Sequence, residues 1–195
     1  MQAKHPVEPV FRPPVAGPRP KVPMQIYFQS HRFCTIQKAA EIMNQNPLTQ
    51  MPDTDKRPIY FRPQLEAMFL PVEQMLQIDR VTSIDGKCLV CEMDVPGHWV
   101  FPLHFPTDPI FPGTLLIEAA GQAVAVWGWH AGLRGRPRLV KVEAKFESPV
   151  LPDDQVVTFV ASVHLRKNIC LGTVELFVRE RKVATVTAVI IIAPF

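Results

Sequence analysis

The sequence predicts an α+β fold in which an antiparallel sheet curls around one long buried helix. From Leu115 to Trp129 nearly every position is apolar or small, so a helix here has no solvated face and must be enclosed by other structure. On either side of that run the periodicity changes to strand-like segments bounded by turn residues, two before it and four after, the pattern of a sheet with its helix set apart from the strands. A chain of 195 residues, 47% of them hydrophobic, suits one domain of moderate size with an appendage.

The appendage is predicted to be residues 1–66, and the domain residues 67–195. Seven prolines fall among the first twenty-three residues, with no apolar stretch of the kind a secretory signal needs, so residues 1–23 read as an extended, disordered tether and the protein as cytoplasmic. Residues 24–66 hold a possible short helix, Thr35 to Asn44, between turn-rich flanks. Lys4, Arg12, Arg19 and Lys21 against Glu8 give the tether a net charge of +3, the charge of the whole chain. The remainder is therefore balanced, which argues against a nucleic-acid-binding domain with its basic face. No membrane span is expected either. The most apolar stretch, Val183 to Ala193, is far too short for a spanning helix and begins with alternation, as a buried strand does.

Strands are expected at Met75–Ile84 and Lys87–Val95, around a hairpin turn at Asp85-Gly86. A four-strand meander should follow the helix: Arg138–Phe146, Gln155–Arg166, Ile169–Arg179 and Lys182–Ile192, with turns at Pro152–Asp154, Lys167-Asn168 and Glu180-Arg181. Prolines 106, 109 and 112 forbid a regular helix before Gly113, because each lacks an N–H and biases its predecessor to extended conformations. The helix thus begins at about Thr114.

Glu118 and Gln122 are the strongly polar side chains of the helix run, and their spacing of four puts them on one face. A capping role for Glu118 fails on count, since a box opened by Thr114 needs its acid at Ile117. An unpaired carboxylate in such a run costs several kcal/mol, so Glu118 must be paired or held protonated, and costly placements of this kind concentrate at functional sites. His104 lies at the far end of the proline loop and cannot share a helix face with Glu118. The two meet only if the fold or a second subunit brings them together.

Other groupings carry less. On a strand, Cys88 and Cys91 point to opposite faces, which disfavours a redox or zinc site. Cys34 and Cys170 are single and read as reduced thiols. His98, His130 and His164 have no acid or nucleophile at a recognisable spacing. Arg134, Arg136 and Arg138 follow the helix, where they can complement its negative end or meet an acidic partner.

The string HFPTDPIFPGTLLIEAAGQ from His104 to Gln122 resembles the HFPxxPxxPGVLxxEAxAQ signature of the 3-hydroxyacyl carrier-protein dehydratases of fatty-acid and polyketide synthesis, in register and without a gap. LPVEQMLQIDRV at 70–81 and KVEAKFESPVLPDDQ at 141–155 look like two further segments of that family, so the resemblance covers about residues 68–195. Leu103 where glycine is common, Thr114 for valine, and Trp127 and Trp129 depart from the pattern and bear on tunnel shape. The resemblance implies the hot-dog fold, a homodimer, and removal of water from a 3-hydroxyacyl thioester to give a 2-enoyl thioester. It implies His104 as base and Glu118 as acid from opposite subunits, with the Gly113 N–H polarising the thioester carbonyl. Phe105, Pro112 and Gln122 would shape the substrate site. No metal or redox cofactor is implied. The substrate is carried on phosphopantetheine, and an acidic acyl carrier protein is the expected partner, met by Arg134, Arg136 and Arg138. These roles suit the residues: a near-neutral imidazole abstracts a proton, a carboxylic acid protonates a poor leaving group, and a helix N-terminus accepts negative charge. The alternatives are a hot-dog thioesterase, which needs the helix acid but not the histidine, and a non-catalytic module. A dehydratase with isomerase activity typically carries aspartate in place of Glu118.

Overall fold

In a computed structural model, the structure describes residues 58–195 with the exception of Phe69. The tether and the helix expected at Thr35–Asn44 lie outside the described residues. Among the described residues, seven strands form one antiparallel sheet: β1 Tyr60–Phe61, β2 Arg80–Asp85, β3 Cys88–Asp94, β4 Arg136–Phe146, β5 Val156–Arg166, β6 Ile169–Val178 and β7 Arg181–Ala193. Two helices accompany them, the short α1 at Arg62–Glu66 and the long α2 at Gly113–His130. Helix α2 lies against β3 to β7, and no helix among the described residues is long and apolar enough to cross a membrane.

The sheet order is β1-β2-β3-β5-β6-β7-β4, which corrects the expected meander. Strands β5, β6 and β7 are joined by hairpins, but β4 lies beyond β7, pairing Arg136 with Ala193 and Phe146 with Ala184. The link from β4 to β5 carries Pro149 and Pro152, neither able to donate to a ladder, so the chain leaves the edge instead of folding back on it. Two further expectations shift. The strand expected from Met75 begins at Arg80, because Glu73–Met75 forms a 3-10 turn and the residues after it bond to side chains of α1 and α2. The hairpin turn falls one residue later, at Gly86-Lys87, where Gly86 takes φ +53°, a conformation that costs glycine little.

Between helix and sheet the core is closed by close approach. A Cβ on Gly172 of β6 would lie 2.2 Å from Val124 Cγ2, so the helix rests on bare backbone there. Gly172→Val should therefore push α2 off the sheet and destabilise the protein by about 1–3 kcal/mol, read as a fall in the urea midpoint. Trp127 is held by its indole N–H donating to the Gly86 carbonyl at 3.1 Å, and so fastens the helix to the β2–β3 turn.

The helix is not enclosed on every side. Leu116, Ala119, Ala120 and Gln122 to Gly128 are buried, but Thr114 is exposed, and Ile117, Glu118 and Gly121 are half-buried on one face. Nearly all of β4 is exposed beside that face, with Leu139, Val140 and Phe146 each about half accessible or more. At the opposite edge, residues assigned to the appendage join the fold: β1 pairs with β2, and Leu65 of α1 is fully buried.

Candidate functional site

Two ends of the proline loop are pinned before its histidine is placed. Val95 donates to Gln155 O at 3.0 Å, and Phe111 donates to Val150 O at 2.9 Å. Between them the His98 ring meets Phe111 edge-on with centroids 4.8 Å apart, and Phe101 packs on Phe111 at 5.8 Å. Burial among these rings pushes the His98 pKa below its ordinary value, with Asp79 opposing and Arg62 adding to the effect. A neutral aromatic plug results, in keeping with a structural role for His98.

His104 emerges where successive turns converge. The amides of Leu103 and His104 both donate to Val100 O, at 3.0 and 2.9 Å, and Phe105 adopts φ +55°, turning its ring against the imidazole at a centroid distance of 4.2 Å. The imidazole Nδ1 lies 2.8 Å from Ile110 O. A carbonyl can only accept, so Nδ1 carries the hydrogen, and in the neutral imidazole the lone pair is then on Nε2. This is the tautomer a general base requires.

Glu118 occupies the half-open face of α2 and lines a cavity of about 300 Å³ with Gly121, Gln122, Arg138, Leu139 and Ile190 among its walls. Gln122 is 3% exposed and its amide is fully engaged. Nε2 donates to Met75 O at 2.7 Å and to Glu118 Oε1 at 3.0 Å, while Oε1 accepts from the Gln77 amide at 2.8 Å. The carboxyl is thus paired, as its burial demands, and oriented. Its Oε1 receives the amide hydrogen, and the side chain stands at the cavity wall.

Helix α2 starts at Gly113 with Pro112 as N-cap and no side-chain cap, so no side chain takes the first N–H groups that a helix leaves without partners. Gly113 has a packing reason as well. The Phe146 ring occupies the space of a Cβ, with Cζ 2.8 Å from where that atom would sit. Pro112 is buried and Phe105 exposed. His104 is not among the residues that line the cavity at Glu118.

The three arginines separate by role. Arg134 donates to Trp129 O at 2.7 Å and to Leu133 O, with its guanidinium 4.0 Å over the Trp129 ring, and so completes the helix C-terminus. Arg136 is exposed at the head of β4. Arg138, also exposed, reaches the cavity that holds Glu118. His130 accepts or donates a hydrogen bond with the Tyr60 hydroxyl at 3.0 Å, a structural use. Cys91 and Cys170 are buried free thiols. Gly121 and Ala125 also line the cavity, and their spacing of three and seven from Glu118 was the signal that could have marked them. Leu139 and Ile190 had no such signal, since only the pairing of β4 with β7 brings them there.

The chain resembles known structures along most of its described length. The dehydratase heterocomplex ApeI:P from Xenorhabdus doucetiae is matched with a TM-score of 0.55 and 19% identity, over 65% of this chain and 90% of that one. AziG of S. sahachiroi gives 0.52 and 20%, over 65% and 99%. The thioesterase HI1161 of Haemophilus influenzae gives 0.54 and 14%, over 71% and 94%. At such identities the likeness establishes the hot-dog fold and does not choose between the two chemistries. The FabA-like domain matches residues 70–187, more than half of the chain and all of the segment that carries His104, Gly113, Glu118 and Gln122, and the chain accordingly belongs to the FabA-like domain family.

Proposed function

We propose that this protein removes water from a 3-hydroxyacyl thioester to give the 2-enoyl thioester, with the acyl group carried on the phosphopantetheine of an acyl carrier protein. The observation that carries the reading is the hydrogen bonding at the two titratable groups, which puts the hydrogen of a neutral His104 on Nδ1 and holds Glu118 through Oε1 at the wall of a cavity. His104 takes the proton from C2, and its electron pair forms the C2–C3 double bond as the C3–O bond breaks. Glu118 delivers its proton to the departing hydroxyl, which leaves as water. The Gly113 N–H, at the positive end of α2, stabilises the charge that builds on the thioester oxygen. Proton return from His104 to Glu118 resets the site. The substrate walls would include Phe105, Pro112 and Gln122, and Arg136 and Arg138 are the cations we assign to carrier-protein docking, Arg134 being committed to the helix end.

His104 is not among the residues lining the cavity of Glu118, and on this reading a second copy completes the site. The exposed β4 edge, with Leu139, Val140 and Phe146, offers the unpaired strand and apolar side chains that a two-fold partner would cover. Light scattering should return the mass of a homodimer at micromolar concentration; a monomer would remove the basis for a shared site. A thioesterase is the second reading, supported by the likeness to the Haemophilus influenzae enzyme and by a helix carboxyl facing a cavity. Hydrolysis of a thioester liberates a thiol and dehydration does not. Incubation with a 3-hydroxyacyl thioester and a thiol reagent should leave the reagent unreacted while an enoyl product accumulates, and stoichiometric thiol release would favour the thioesterase.

A further inference from the structure

We propose that Arg62, which precedes the segment matched by the FabA-like domain, is a positioning residue that fixes the orientation of Glu118 through Gln122. The inference rests on the reading of Glu118 as the acid and extends it to a part of the chain with no role so far. Arg62 opens helix α1 and spreads its guanidinium over one short stretch. Nη2 donates to the carbonyl of Glu73 and, at 2.9 Å, to that of Leu76, and Nη1 donates to Asp79 Oδ1 at 2.9 Å. Asp79 is itself tied to β3, its Oδ2 accepting from the Asp94 amide at 2.7 Å.

The stretch so gripped is the one that Gln122 holds from the other side. Gln122 donates to Met75 O and accepts from the Gln77 amide, and with the same Nε2 it donates to Glu118 Oε1. A continuous path therefore runs from the Arg62 guanidinium, through the backbone of residues 73–77, to one oxygen of the proposed acid. The stretch has a 3-10 turn of its own, with Met75 N donating to Val72 O and Leu76 N to Glu73 O, both at 3.2 Å, but two features show that it also leans on its surroundings. Glu73 sits at φ +53°, a left-handed conformation that a non-glycine residue keeps only where its surroundings impose it. Gln77 is 2% exposed, yet its Oε1 has no hydrogen-bond partner, an arrangement that neighbouring contacts must sustain. No strand ladder supplies that support, because β2 begins only at Arg80.

A plain anchoring role would explain the ion pair with Asp79 and the longer 3.7 Å approach to Glu66. It does not explain why the guanidinium also bridges the carbonyls of Glu73 and Leu76, which interleave with the Met75 and Gln77 groups that Gln122 holds. The planar fork of arginine suits such a bridge, and the single ammonium of lysine does not.

The test compares wild type, Arg62→Ala, Arg62→Lys and Gln122→Ala, with two readouts. Amide hydrogen exchange at Gln77 reads the path without substrate; turnover of a 3-hydroxyacyl thioester reads its consequence. Arg62→Ala should speed Gln77 exchange at least about tenfold and lower kcat roughly 10- to 100-fold with KM little changed, the cost of a misplaced group. Arg62→Lys should recover part of both. Adding Gln122→Ala to Arg62→Ala should cost no more than Gln122→Ala alone, the non-additivity of residues acting along one path. If Arg62→Ala does not fold, Arg62→Lys should show the same effects in smaller measure. Wild-type exchange at Gln77 and wild-type kcat in the folded Arg62 variants, with only the melting temperature lowered, would overturn the proposal in favour of anchoring. A wild-type protein that fails to dehydrate while Arg62→Ala still exposes Gln77 would instead remove the dehydratase reading and leave the path standing.

Discussion

His104→Ala is expected to lower the dehydration rate by ~10² to 10⁴, the range that general acid–base groups supply, while the protein remains folded and dimeric. The structure makes the stability cost small. His104 is half-buried and its ring makes one hydrogen bond, from Nδ1 to Ile110 O, whose loss should cost about 1 kcal/mol and some 2–4 °C of Tm in a chain of this size. The loop itself should survive, since its ends are fixed by Val95, Phe111 and the rings of His98 and Phe101. Circular dichroism and turnover measured on the same sample check both halves of the expectation. Unchanged turnover would show that the imidazole, despite its suitable tautomer, is structural.

Glu118→Gln should be as damaging to the rate and easier on the fold. The amide is isosteric and its Oε1 can still accept from Gln122, so the contact at 3.0 Å is preserved while the proton for the leaving group is lost. A neutral group on this half-buried helix face also relieves the desolvation of a carboxyl, so stability should hold or rise. A purely structural Glu118 predicts the reverse, a weakened protein whose folded fraction keeps full activity. Because His104 and Glu118 are proposed to meet across a two-fold interface, the two inactive variants should complement each other. In a random mixture about half of the dimers carry one of each chain and thus one intact pair. Mixed samples that exchange subunits yet stay inactive would sink the shared site.

The fold and the candidate site were legible in the sequence to different depths. Helix α2 was visible because a run with no polar face has one way to be buried, and the prolines at 106, 109 and 112 marked its start to within a residue. The hairpins of β5, β6 and β7 were visible because short turns between alternating runs act locally. The position of β4 was not, since the pairing of Arg136 with Ala193 joins residues far apart in the chain, and nothing local distinguishes that edge from a neighbour of β5. Of the site, His104, Gly113 and Glu118 stood out through their motif. Gln122 was seen as a helix-face partner, but its grip on Met75 and Gln77 was hidden, because a stretch reading as strand in fact turns at Glu73 and spends its backbone groups on side chains. Arg62 was invisible for the same reason. Its acceptors are main-chain carbonyls, which leave no mark on the residue types that present them.

The most direct test of the account is mass spectrometry of a 3-hydroxyacyl carrier protein after incubation with the purified protein. The account predicts a carrier protein lighter by one water with its acyl group still attached. A carrier protein stripped of its acyl group, with the 3-hydroxy acid free in solution, would contradict it.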